Sequence, residues 1–198
     1  IFIGKFSKGI PKKNTVTNLL NLLDKHKCLN GKKYLIKIKK NIPQKSGMGG
    51  GSMNASSILS FFLKKNIINT SQAKSFARVL DSDTILGLNS KLKVLLSDNS
   101  IIEYNKKLPY SIVLLKPYFG CSTKKIYLNN KTFSKRQYFK GKRIVINKKY
   151  LIESKNDLEN SAFKIHPTLK KLKKSILSIK MGEFVRMTGS GSAIVVYF

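Results

Sequence analysis

The sequence predicts an α+β fold in two lobes, joined near residue 107. Three observations carry this. Stretches with apolar residues at helical spacing stand beside short stretches with apolar residues in alternation. A strand-like run at 111–117, "SIVLLKP", opens a second unit, which gives lobes over 1–107 and 108–198. A chain of 198 residues, 41% hydrophobic, can bury one large core or two small ones, and folding at this size removes roughly 70% of the unfolded surface from water.

Each element follows from a local pattern. Asn14 is a helix cap for "TVTNLLNLLDKHK", with Val16, Leu19, Leu20 and Leu23 on one face. "YLIKIKK" alternates, so Tyr34, Ile36 and Ile38 form the buried face of a strand. "SMNASSILSFFLKK" reads as a helix, and Thr70 as the cap of another over "SQAKSFARVL". "TILGL" and "KVLLS" read as strands, and "STKKIYLN" as a short helix. The stretch 131–149 is basic and irregular, with Phe133, Tyr138 and Phe139 interleaved. "NDLENSAF", with Asp157 at its cap, and "HPTLKKLKKSILSI" read as helices. In the second, Leu169, Leu172, Ile176 and Ile179 form a stripe. "FVRMTGSGSAIVVYF" closes the sequence as a strand–loop–strand.

The formal charge of +30 raises the question of a nucleic-acid partner. Composition argues against a specific one. The arginines are only Arg78, Arg136, Arg143 and Arg186, whereas base and phosphate readout favours the bidentate guanidinium. The lysines are spread along the whole chain, the pattern of a solvated surface. Cys28 and Cys121 have no metal-ligand spacing and read as reduced structural thiols, which suits a cytoplasmic protein. No apolar run reaches membrane-spanning length.

The chemistry is concentrated in "NIPQKSGMGGGSMNAS", where Gly47, Gly49, Gly50 and Gly51 fall within five positions between a β pattern and a helix. Glycines there permit positive φ and close approach of backbone N–H groups to a ligand, and a helix N-terminus adds unpaired donors. The combination suits phosphates. No Gly-Lys-Ser/Thr follows Gly47, so this is not a P-loop, and Ser52 stands where a dinucleotide fingerprint needs glycine. Ser52 sits where a helix cap or a metal-facing hydroxyl would be.

"PQKSGMGGGSMNA" resembles the second motif of the GHMP kinases, and its triple glycine with Ser-x-Asn-Ala resembles that of the 4-diphosphocytidyl-2-C-methyl-D-erythritol kinases. Other segments resemble that family in the same order: "KNTVTNLLNLL", "LDSDTIL", "FGCSTKKIY", "NDLE" and "MTGSGSA". The sequence departs from the family pattern at Lys45, Ser46, Met48, Met53 and Ser56, and Asp81 replaces a glycine. The resemblance implies a two-lobed GHMP-kinase fold with a ribosomal-protein-like first lobe. It implies ATP and Mg2+ as cofactors and a small-molecule substrate, phosphorylated on its 2-hydroxyl for isoprenoid biosynthesis.

By the same resemblance, Pro43, Gln44, Lys45, Ser46, Gly47, Met48, Gly49, Gly50, Gly51, Ser52 and Met53 hold ATP, with Ser52 also facing the metal. Asp83 is the catalytic base, and Thr123, Thr188, Gly189, Ser190 and Gly191 lie near the substrate. Taken alone, Asp83 in "DSDT" reads first as a helix cap or Asx-turn residue, and Thr123 as the cap of "KKIY"; the resemblance reverses that order. The family's Ala-Lys-x-Asn-Leu and Gly-Tyr-His motifs have no counterpart here, so the resemblance implies a fragment that does not turn over substrate by itself. A basic RNA-binding module with a ribosomal-protein-like fold is the alternative.

Overall fold

The computed structural model describes residues 1–134 and 145–198, so Tyr138, Phe139 and most of the basic stretch lie outside the described residues. The chain divides into two compact units. One comprises Ile1–Pro43, Gly49–Leu95 and Ile101–Lys106; the other comprises Gln44–Met48, Leu96–Ser100 and Lys107–Phe198.

The first unit is built on three helices: α1 (Thr15–Lys25), α2 (Gly50–Lys64) and α3 (Thr70–Leu80). Asn14 caps α1 as expected, accepting from the N–H groups of Val16 and Thr17 at 3.0 and 3.2 Å, while the Thr17 hydroxyl accepts from the Asn14 N–H. Val16, Leu19 and Leu23 of α1 pack with Ala55, Leu59 and Phe62 of α2 and with Ala73, Phe76 and Ala77 of α3. A fully buried leucine or phenylalanine here contributes about 1.5–3 kcal/mol. Tyr34, Ile36 and Ile38 face this core, as their alternation predicts, yet only Ile38–Lys39 is a paired strand (β2), parallel to β1 (Phe2–Ile3). A hairpin of β3 (Leu92–Leu95) and β4 (Ile101–Tyr104) turns through Asn99, which is left-handed.

Two local expectations are corrected in this unit. The cap of α3 is Asn69, not Thr70, because Asn69 and Gln72 exchange side-chain-to-backbone bonds at 2.9 Å and start the helix one residue earlier. "TILGL" is a 3-10 turn, Thr84–Gly87, not a strand. The Asp81 carboxylate accepts the N–H groups of Asp83 and Thr84 at 3.0 and 2.7 Å, which bends the chain ahead of a run too short for its period to decide.

The second unit has an antiparallel sheet in the order β5 (Ile112–Leu115), β7 (Ile194–Tyr197), β6 (Phe184–Met187). Ile194, Val195 and Val196 are all buried, which suits a central strand. Helices α4 (Thr123–Asn129), α5 (Lys148–Glu153), α6 (Leu158–Ile165) and α7 (Pro167–Ser178) complete the described part of the unit. Its core joins Cys121, Ile126, Leu158, Ala162, Leu169, Ile176 and Met187 to the sheet. Cys28 and Cys121 are both free thiols. Ile179, expected in the α7 stripe, lies past the helix end and is exposed. Asp157 occupies the cap position of α6 but caps nothing; its carboxylate accepts instead from the N–H and hydroxyl of Ser134 at 2.7 and 2.6 Å.

The capping correction yields a direct comparison. Asn69→Ala should destabilise the protein by about 1 kcal/mol, and Thr70→Ala should be nearly neutral, as read by urea denaturation. Equal effects would contradict the observed cap.

Candidate functional site

The two parts of the glycine loop are positioned by different means. Residues Gln44–Met48 belong to the second unit. There the Lys45 carbonyl accepts from the N–H groups of Cys121 and Ser192 at 3.0 and 3.3 Å. The Ser46 carbonyl accepts from the Ala193 N–H at 3.1 Å and the Thr188 hydroxyl at 2.9 Å. The backbone is thus threaded between 119–121 and 188–193. Gly47 has φ +73°, and a Cβ there would stand 2.1 Å from the Thr188 carbonyl oxygen. Lys45, where the resembling family has glycine, takes the left-handed φ of +52° that such a position demands.

The residues expected near a substrate come together in this same unit. The Thr123 and Ser190 hydroxyls meet at 2.8 Å. Thr123 is free for this because Ser122, not Thr123, caps α4. The Thr188 hydroxyl is engaged with the loop carbonyl, and Gly189 lies against Gly47, where a Cβ would come within 3.1 Å of its oxygen. Gly191 donates its N–H to the Thr188 carbonyl at 2.7 Å and closes the turn.

Residues Gly49–Met53 open the first unit's helix α2. Gly49 is the cap, left-handed at φ +62°, and offers no side chain to the first-turn N–H groups. Ser52 is therefore inside the helix and is not its cap. Unpaired donors and the helix dipole leave this end electropositive.

Lys40 adds to that field. It is only 8% exposed, and its ammonium makes no hydrogen bond or ion pair among the described residues. It reaches within 3.5 Å of where a Cβ on Gly50 would stand. Desolvation lowers its pKa from the usual lysine value. The sequence reading passed over Lys40, although a signal was present: it continues the inward-facing series Tyr34, Ile36, Ile38.

Asp83 lies in the first unit beside the 3-10 turn, with an exposed carboxylate whose contact is the Ser82 hydroxyl at 3.3 Å. The capping duty that "DSDT" suggests falls to Asp81, which also accepts from the Thr84 hydroxyl at 2.9 Å. The turn is fastened to α2 by the Ser56 hydroxyl on the Thr84 carbonyl and the Ser60 hydroxyl on the Leu88 carbonyl. Among the described residues no cluster of three acidic, histidine or cysteine side chains forms a metal cage.

Comparison with known proteins bears on this arrangement. The family description "GHMP kinases N terminal domain" matches residues 14–80, the span of the Asn14 cap and α1 to α3. A 4-diphosphocytidyl-2-C-methyl-D-erythritol kinase of Pelagibacter ubique is 47% identical over 199 residues, covering 100% of this chain and 71% of that protein. The chain belongs to this family. A Fusobacterium nucleatum member is 32% identical over 78% of the chain and 56% of its own length. A chloroplastic member from Arabidopsis thaliana is 28% identical over 95% of the chain and 52% of its own length. A crystal structure of a 4-(cytidine 5'-diphospho)-2C-methyl-D-erythritol kinase, 20% identical, aligns with a TM-score of 0.69 over 98% of this chain and 72% of that one, which establishes the α+β fold. The family is one of small-molecule kinases of the non-mevalonate isoprenoid pathway, and family membership implies use of ATP. The RNA-binding alternative gains no support from these relatives.

Two glycines of the loop should respond differently. Gly47→Ala forces a Cβ onto a backbone oxygen and should cost about 2–3 kcal/mol or more. Gly49→Ala has no atom within 4 Å of its Cβ and should cost only about 1–2 kcal/mol for the left-handed backbone. Denaturation midpoints of the two variants check this ordering.

Proposed function

We propose that loop 43–53 holds the phosphates of ATP, and that the protein's reaction is transfer of the γ-phosphoryl group to the 2-hydroxyl of 4-diphosphocytidyl-2-C-methyl-D-erythritol. The observation that carries the ATP reading is Lys40. A mostly buried ammonium with no anionic partner, beside an uncapped helix N-terminus, is unfavourable until an anion arrives. Phosphoryl transfer asks chiefly for positioning and charge neutralisation, which these groups supply.

In this reading the substrate oxygen forms a bond to the γ-phosphorus as the bond to the β-phosphate oxygen breaks, and ADP leaves. Asp83 accepts the hydroxyl proton; its exposed carboxylate, not consumed by capping, supports that role. Thr123, Thr188, Gly189, Ser190 and Gly191 are assigned to the substrate side. If Mg2+ accompanies ATP it would supply neutralisation of phosphate charge, and Ser52, in the first turn of α2, is the residue assigned to face it. Residues 1–107 are assigned as the ATP-binding lobe and 108–198 as the second lobe. The two free thiols support a cytoplasmic setting. Among the described residues no helix is long and apolar enough to cross a membrane.

Titration with a fluorescent ATP analogue tests the reading. Lys40→Met should weaken binding roughly 10- to 100-fold, the worth of a hydrogen bond to a charged group. It should leave stability unchanged or raised, because an unpaired buried charge is removed. Gly50→Val should abolish binding, and Asp83→Asn, in a turnover-competent form of the enzyme, should preserve it while phosphoryl transfer is lost. Parent-like affinity in Lys40→Met would overturn the assignment of the anion site.

The dispersed charge gives a separate expectation. RNA binding should be weak and should vanish near about 0.15 M salt, through counterion release. Tight binding at that salt, in a filter assay, would revive the RNA reading.

A further inference from the structure

We infer that Asn156 is a positioning residue for the ATP loop, an inference that rests on the reading of that loop given above. Asn156 stands just before α6 and uses its whole side chain. Its Oδ1 accepts the Leu158 N–H at 3.0 Å, which supplies the cap that Asp157 does not. Its Nδ2 donates to two carbonyl oxygens, Met187 at 2.9 Å and Gly189 at 2.8 Å. Three residues on, Glu159 accepts the Met187 N–H at 2.8 Å. Asn156, just ahead of α6, and Glu159, in its first turn, together grip both backbone groups of Met187 and the turn that follows.

That turn is what holds the loop. Thr188, Ser192 and Ala193 deliver three of the four hydrogen bonds that fix the carbonyls of Lys45 and Ser46. The turn itself, Thr188–Gly191, has two glycines, little side-chain mass to pack, and left-handed backbone at Gly189 and Gly191. With so little side-chain mass its path leans on hydrogen bonds, and the Asn156 amide contributes two, one to Met187 where the turn begins and one to Gly189 within it. A carboxylate at the same place would set an acceptor against two acceptors. Asn156 thus touches neither nucleotide nor substrate in this scheme; it acts through 187–193 on 45–47.

Asn156→Asp isolates this role, because it keeps the oxygen that caps α6 and removes both donors to the turn. Hydrogen exchange without ligand should speed up at Gly191, Ser192 and Ala193 by about tenfold, the worth of about one net hydrogen bond. The amides of α6 should be unaffected. ATP-analogue affinity should fall by a similar factor. Glu159→Gln is the comparison: it keeps an acceptor for the Met187 N–H but loses the ion pair with Lys173, whose ammonium lies 2.8 and 2.6 Å from the carboxylate oxygens. It should loosen α6 and α7 without loosening the turn. Unchanged exchange at 191–193 in Asn156→Asp would overturn the inference. So would equal effects of the two variants on the turn and on binding, which would mark a general loss of helix packing. If the parent chain fails to bind the analogue, the ATP reading falls, and the exchange pattern still decides whether Asn156 fixes the turn.

Discussion

Two consecutive carbonyl oxygens, those of Lys45 and Ser46, each accept two donors from residues far along the chain. Much else in the second unit follows from this double acceptance. Gly47 must be bare because the Thr188 carbonyl occupies the space of its side chain. Gly120 must be bare because the Lys45 Cβ would lie 2.6 Å from any Cβ placed there. Lys45 accepts a left-handed backbone, at a cost of about 1–2 kcal/mol, because the bonds to its carbonyl hold it in that conformation.

The first unit solves a different problem. Its three helices pack through ordinary leucine, alanine and phenylalanine contacts, and the fold needs nothing unusual of α2. The N-terminus of α2 nonetheless lacks the side-chain cap that Asn14 and Asn69 give α1 and α3, because a left-handed glycine, Gly49, stands at its cap position. Lys40 sharpens the contrast. A buried ammonium without an anionic partner among the described residues, beside that helix end, is the observation on which the proposed ATP site rests.

Legibility in the sequence followed the range of the interactions. The cap at Asn14, the apolar face of α1 and the β6–β7 hairpin were readable because each rests on residues a few positions apart. The glycine loop ahead of a helix was readable because composition and position sufficed; its phosphate role is the proposal above. Errors fell where two neighbours compete for one duty. Asn69 and Thr70 both suit a cap, as do Ser122 and Thr123, and "DSDT" has two aspartates of which the first, not the second, makes the turn. Lys40 was missed because a lysine among lysines carries no compositional signal; only the alternation through Ile38 marks it. The bonds to the Lys45 and Ser46 carbonyls were not legible at all, since no local pattern specifies partners as distant in the chain as Cys121 and Ala193.

The Thr188–Ser46 bond spans 142 positions. At synthesis rates of about 5–20 residues per second, the carbonyls of Lys45 and Ser46 leave the ribosome roughly 7–30 s before their partners. Helices α1, α2 and α3 find one another within residues 15–80 and can pack within that interval. The segment between β2 and α2 cannot. It waits as polar, glycine-rich chain, a composition that offers little for aggregation to act on. Its final path is acquired only when Ala193 has emerged.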